Sequence, residues 1–149
     1  PMGAIGAIRV RFGAVALFVL LATVIISDAA QYFGGRALGR SQLAPVVSPK
    51  KSWEGAVAGF AVSVAATAVW SLWRLDAVRF DLLLVGAVTS VAAQVGDLVE
   101  SLLKRGAHVK DSGGVFPGHG GAFDRIDALL FAAPTLLAGL LLLGLPAAP

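Results

Sequence analysis

The residues with the most chemical potential lie between positions 101 and 127, in the stretch SLLKRGAHVKDSGGVFPGHGGAFDRID. In order it offers Lys104 and Arg105, Lys110 and Asp111, a glycine-rich run with Pro117 and His119, then Asp124, Arg125 and Asp127. A packed core has no use for that inventory, whereas phosphate chemistry does. Carboxylates hold a hard divalent cation, Lys and Arg meet phosphate oxygens, and glycines let backbone N–H groups approach an anion. Just upstream, Asp97, Glu100, Ser101 and Lys104 stand at i, i+3, i+4 and i+7, which is one face of a helix. Asp124 and Asp127 are again three apart, at the start of an apolar run where the helix dipole favours negative charge. A competing reading makes one of them only a helix cap, and another pairs Asp97 with Lys104 or Arg105 as a solvated ion pair worth under about 1 kcal/mol. Asp97 and Asp124 in one pocket would repel each other without a cation. Mg²⁺ removes that repulsion and supplies what phosphoryl or nucleotidyl transfer requires. His119 is open between a hydrogen-bonding loop residue, a phosphate contact and a proton carrier. No GxxxxGK[ST] sequence occurs, which disfavours a P-loop nucleotidase.

A second polar stretch, SDAAQYFGGRALGRSQLAPVVSPKKSWEG, covers residues 27–55. Asp28 closes an apolar run, and a carboxylate at mid-membrane depth costs about 2.5–3.5 kcal/mol unless it finds a partner. Gly34-Gly35-Arg36 and Gly39-Arg40 read as turns carrying cations, and Pro45 and Pro49 break any helix between them. Ser48, Lys50, Lys51 and Ser52 then precede a helix start with Glu54 in its first turn, which is a natural anion site. The plainer reading of Lys50 and Lys51 is a basic loop that only sets topology.

The elements that position these residues are apolar. The chain has 149 residues, one domain's worth, with 57% hydrophobic and 14% charged residues against about 25% charged in ordinary globular proteins. Without cysteine there are no disulfides, thiolate sites or Cys nucleophiles, and two histidines are too few for a zinc cage. The net charge of +3 comes without a Lys/Arg stripe or stacking aromatics, so nucleic acid is not an expected partner. Uncharged or nearly uncharged runs cover residues 12–27, 55–73, 82–96 and 128–149, the last with Pro134 inside it. Nineteen residues at 55–73 are enough to cross a hydrocarbon core about 30 Å thick. The 15 residues at 82–96 are short for a span and must lengthen into polar flanks.

The expected fold is therefore all-α: a polytopic transmembrane bundle of about four spanning helices, one integral-membrane domain over 1–149. Arg9 and Arg11 before an apolar run also fit a secretory signal, but no small-residue cleavage site follows. Two spans separate the polar segments 28–54 and 97–127, so both face one compartment. Each carries four Lys/Arg, while the connection 74–81 has only Arg74 and Arg79. Positive-inside logic puts both segments in the cytoplasm, with Arg9 and Arg11 counting against it.

The run from Ser101, Leu103, Lys104 and Arg105 through Lys110, Asp111, Gly113, Phe116, Pro117, His119, Gly120 and Gly121 to Asp124, Arg125, Ile126 and Asp127 resembles the signature of phosphatidate cytidylyltransferases, the CDP-diacylglycerol synthases. The block from Ser27 and Asp28 to Gly55, and Gln94, Gly96, Asp97, Glu100 and Ser101, are similar to the same family. Ala122 departs from it, standing where a larger apolar residue is usual. The resemblance implies an integral membrane enzyme that transfers the cytidylyl group of CTP to phosphatidic acid, giving CDP-diacylglycerol and pyrophosphate. It implies Mg²⁺ on Asp97 and Asp124, with a second cation left open. Ser101, Lys104, Arg105, Lys110, Asp111, His119, Arg125 and Asp127 fall on signature positions that bind or orient phosphates, and Asp28, Arg36, Ser48, Lys50, Lys51 and Ser52 on a further substrate-contacting loop. Expected partners are CTP, phosphatidic acid and the bilayer of the inner (plasma) membrane, with the site facing the cytoplasm and a homodimer as one assembly. Family members have several spans before the first block and this chain has one, so it is expected to be the C-terminal catalytic part of a longer member. The alternatives are a related membrane CTP-dependent enzyme (an ether-lipid cytidylyltransferase, or a polyprenol or phytol kinase) or an inactive truncated membrane module.

Overall fold

A computed structural model describes residues 1–107, 109 and 126–145. Among the described residues four helices form a bundle: α1 (Met2–Leu38), α2 (Trp53–Leu75), α3 (Phe80–Gly106) and α4 (Asp127–Leu142), with a two-stranded hairpin, β1 (Gln42–Ala44) and β2 (Ser48–Ser52), between the first two. α1, α2 and α3 are long and apolar enough to cross a membrane. At 1.5 Å per residue, the 23 residues of α2 extend about 35 Å. Large apolar side chains such as Phe18, Val57, Val69, Trp73 and Leu142 face outward. Water would penalise that surface, and lipid does not. The chain is a membrane protein.

α1 is two helical pieces meeting at Gly13, whose φ of 85° and ψ of 174° interrupt the hydrogen-bond ladder. The helix begins well before the apolar run at 12–27 and ends well after it. Gly34-Gly35-Arg36, expected as a turn, is helical, and the chain leaves the helix only at Gly39, whose N–H bonds Gly35 O at 3.0 Å. Packing explains the difference. Glycine costs a helix about 1 kcal/mol relative to alanine, but here it lets α2 lie close alongside. A Cβ on Gly34 would sit 2.7 Å from Ala58 Cβ, and one on Gly55 would sit 2.6 Å from Gln31 O. Ser27 Oγ, in the same seam, donates to Gly59 O at 3.1 Å.

The hairpin is antiparallel, with Gln42 opposite Ser52 and Ala44 opposite Ser48, and an irregularity between the pairs. Pro45 opens its turn, and Gln42 Nε2 donates across it to Pro49 O at 3.2 Å. Ser52 ends the hairpin and caps α2, its Oγ accepting from Gly55 N–H at 3.1 Å. Ser41 N–H reaches the Glu54 carboxylate at 3.3 and 3.4 Å, so the start of α2 holds the hairpin from both sides.

Between α2 and α3, Ser71 Oγ donates to Ala77 O at 2.7 Å and accepts from Arg79 N–H at 3.1 Å, while Arg79 and Asp81 form an ion pair. α3 then extends its short apolar run in both directions, carrying the helix on into the polar segment. α4 is shorter than the run expected at 128–149: it has 16 residues, about 24 Å, and Gly144 follows at φ +61°. Pro134 removes one ladder donor inside it, and Thr135 Oγ1 donates to Phe131 O at 2.8 Å one residue on. α1 lies against α2 and α3 against α4, with α2–α3 and α1–α4 contacts closing the bundle. Its buried centre joins Ile8, Ala16, Leu20 and Val24 of α1 to Ala128, Ala132 and Ala133 of α4.

The α1–α2 seam makes a testable claim. Gly55→Ala is expected to lower the unfolding midpoint in detergent, equivalent to about 1–3 kcal/mol of overpacking. Gly3→Ala, where an added Cβ meets nothing within 4 Å, is expected to leave it unchanged or raise it. Equal midpoints for the two variants would contradict the packing assigned to the seam.

Candidate active site

At one end of the bundle the second half of α1, the hairpin, the first turn of α2, the middle of α3 and the first turn of α4 enclose a cleft of about 610 Å³. α1 contributes Asp28, Gln31, Tyr32 and Arg36, and the hairpin contributes Ser48, Lys50, Lys51 and Ser52. Asp97 of α3 and Asp127 of α4 face them. A volume between about 300 and 1,000 Å³ is that of a small-molecule site. The two polar segments, far apart in sequence, thus share one wall-to-wall space.

The acidic side is built by a close helix crossing. A Cβ on Gly96 would sit 2.8 Å from Phe131 Cδ2 and 3.0 Å from Asp127 O, so only glycine lets α4 come this near to α3. The approach brings carboxylate oxygens of Asp97, Glu100 and Asp127 within 4.8 Å of one another. Two unit charges about 4 Å apart repel by about 1 kcal/mol in bulk water and about 4 kcal/mol near a protein surface. Cations stand beside them: Lys51 pairs with Asp97, and Lys104 Nζ lies 2.7 Å from Glu100 Oε2. Asp127 Oδ1 also accepts from Ala128 N–H at 2.6 Å, and Asp28 Oδ1 from Gln31 Nε2 at 3.3 Å.

The pairing of Asp97 with Lys104 or Arg105 does not occur. Asp97 and Lys104 are two helical turns apart, whereas Glu100 is the i−4 neighbour of Lys104 and takes it, leaving Asp97 to a lysine from the hairpin. Ser101 and Lys104 are half-buried on α3, one and two turns beyond Asp97, and Arg105 is exposed. Lys110, Asp111, His119, Asp124 and Arg125 lie outside the described residues. All six residues of the loop expected to contact substrate, Asp28, Arg36, Ser48, Lys50, Lys51 and Ser52, line the cleft.

Sequence reasoning assigned no role to Glu100, Gln31 or Tyr32. Glu100 stands three residues after Asp97, and that spacing already placed it on the same helix face. Gln31 and Tyr32 follow Asp28 at i+3 and i+4, a signal visible only once α1 is known to run on past Asp28.

The sequence profile of the Cytidylyltransferase family matches residues 5–143. The chain belongs to that family. Among its relatives are the phosphatidate cytidylyltransferases of Brucella suis, 42% identical over 125 residues, of Helicobacter pylori, 41% over 122, and of Bacillus subtilis, 39% over 127. These alignments cover 84%, 82% and 85% of this chain and 46%, 46% and 47% of the relatives. The chain spans about half the length of the curated relatives it matches. The fold of this cytidylyltransferase-family chain is similar to that of a solved intramembrane enzyme of archaeal membrane lipid biosynthesis. That match has a TM-score of 0.64 and 24% identity, covering 86% of this chain and 80% of the other.

The ion pair that bridges hairpin and α3 is directly measurable. In chelator, a double-mutant cycle over Lys51→Ala and Asp97→Ala is expected to give a stability coupling of about 1 kcal/mol, since both side chains keep some solvent contact. Strict additivity would mean that the hairpin is not tied to α3 by this pair.

Proposed function

We propose that the cleft transfers the cytidylyl group of CTP to phosphatidic acid, releasing CDP-diacylglycerol and pyrophosphate. One observation carries the reading: Asp97 and Asp127, two members of a carboxylate triad on α3 and α4, line the same cleft of nucleotide size as Lys50 and Lys51 of the hairpin, at the end of a membrane bundle. Membership of the family and the names of the curated relatives support it.

A divalent cation fits the donor set. Three carboxylates offer hard oxygen ligands, and the chain has no thiolate that would favour a softer metal. Asp97, Glu100 and Asp127 would hold Mg²⁺, with Asp124 of the same sequence motif as a further ligand and a second cation as an addition. Bound there, Mg²⁺ neutralises charge on the triphosphate.

The chain's own residues do the rest. Lys50, Lys51 and Arg36 take phosphate oxygens, and the Ser48 and Ser52 hydroxyls donate to them. Asp28 and Gln31 bound the lipid-side floor. A non-bridging oxygen of the phosphatidic acid phosphate attacks the α-phosphorus of CTP, a new P–O bond forms, and the bond to the β-phosphate bridging oxygen breaks, so that pyrophosphate leaves. A phosphate monoester is already nucleophilic, and no protein base is required. Ser101, Lys104, Arg105, Lys110, Asp111, His119 and Arg125 orient the nucleotide phosphates. The lysine and arginine balance of the two polar segments supports a cytoplasmic site in the inner membrane, where CTP is available.

Product mass after incubation with phosphatidic acid, Mg²⁺ and each of CTP, dCTP and ATP tests the reaction. CDP-diacylglycerol and pyrophosphate in equal amounts from CTP are expected; no CDP-lipid from phosphatidic acid, with a phosphorylated alcohol and CDP formed when a polyprenol or phytol replaces it, would overturn the reading. Asp97→Asn is expected to lower kcat at least about 100-fold, in the range for losing one electrostatic stabiliser of a transition state, without loss of membrane insertion. Lys50→Ala is expected to raise KM for CTP by about tenfold with kcat little changed, as loss of a uniform binding contact does. Parental kinetics in either variant would remove that residue from the site.

A further inference from the structure

Beneath the cleft, enclosed by all four helices, lies a second and much smaller cavity of about 40 Å³. Asp28 lines both spaces and so stands between them. The inner cavity is largely apolar, as a membrane interior should be. Three polar groups on its lining are nevertheless buried and have no hydrogen-bond partner among the described residues: Trp70 Nε1, Thr89 Oγ1 and Ser90 Oγ. Ser90 is 4% exposed and Thr89 9%.

Each such group destabilises the fold if it stays unsatisfied, and the lining of one cavity carries three of them. The lipid around the bundle offers no partner, because its chains cannot hydrogen-bond. Water can. One molecule needs about 10–15 Å³ of such space and two to four polar neighbours, so the cavity has room for about three. The indole N–H donates, the two hydroxyls donate or accept, and Asp28 accepts at the upper end.

We propose that this cavity is a binding site for ordered water, which satisfies Trp70, Thr89 and Ser90 and hydrates Asp28 from the membrane side. The site is independent of what the cleft above it binds. It gives Asp28 a polar contact on the side of a cavity whose lining is largely apolar. An acyl chain is the alternative occupant, since most of the lining is apolar.

Two measurements on the whole chain, in nanodiscs of protonated lipid, test the proposal. In the first, Thr89→Val, Ser90→Ala and the double variant are unfolded thermally. A hydrated cavity predicts that each single change lowers the midpoint by about 2–4 °C. The double change falls short of the sum, because both hydroxyls hold the same water. A dry or lipid-filled cavity predicts unchanged or raised midpoints, because replacing an orphaned hydroxyl by a methyl group relieves a cost. In the second, the indole N–H resonance of Trp70, assigned by its loss in Trp70→Phe, is examined for cross-relaxation. Transfer from water is expected. Transfer from lipid methylenes, or from neither source, would overturn the proposal even if the hydroxyl variants failed to fold.

Discussion

Three carboxylates held within 4.8 Å of one another at the end of a membrane bundle are the constraint on which the rest of the structure turns. Left alone they would repel and push α3 and α4 apart. The helices meet there because Gly96 leaves no Cβ between them, and the charge is offset by lysines from two directions, Lys104 on α3 itself and Lys51 from the hairpin. The acidic cluster therefore organises the molecule twice. It fixes the crossing of α3 and α4, and it draws the hairpin across from the α1–α2 half.

Lipid as solvent explains why the site lies at the ends of helices rather than within them. Every backbone group in the hydrocarbon region must be satisfied internally, so the spanning parts are helical and the irregular hairpin sits outside. α1 and α3 both run on past their apolar stretches, and that overrun carries Asp28 and Asp97 to the same level. The hairpin is short, yet it is held at three points: the Ser52 cap, the Glu54 carboxylate on Ser41 N–H, and the ion pair of Lys51 with Asp97. A segment fixed in this way presents Lys50 and Lys51 in a set position. A basic loop that served only topology would need none of these ties.

Much of this was legible from residue order, and what was not has identifiable causes. The run at 55–73 specifies α2 because only a helix can satisfy 19 uncharged residues in lipid. The start of α2 was read just after Ser52 with Glu54 in its first turn, and the helix does begin at Trp53 with Ser52 as its cap. Gly34 and Gly35 misled because local propensity reads paired glycines as a turn, whereas the decisive term is the approach of α2, which sequence spacing does not display. The strands were invisible because SPKKS and QLA show no apolar alternation; cross-strand bonds and the ties to α2 hold them instead. The site was read as two polar segments on one side, and Asp28, Lys50, Lys51, Asp97 and Asp127 do share a cleft. Glu100 was placed on the Asp97 face of a helix but given no role, because only the α4 crossing brings Asp127 close to it.

The divalent-cation site proposed between α3 and α4 is open to direct test by Mn²⁺ binding followed with electron paramagnetic resonance. At least one Mn²⁺ per chain is expected to bind and to be displaced by Mg²⁺. Affinity should fall at least about tenfold in Asp97→Asn and equally in Asp127→Asn, a loss of about 1.4 kcal/mol or more from either helix. Mn²⁺ that binds as tightly to both variants as to the parent chain, or fails to bind the parent chain at all, would contradict it.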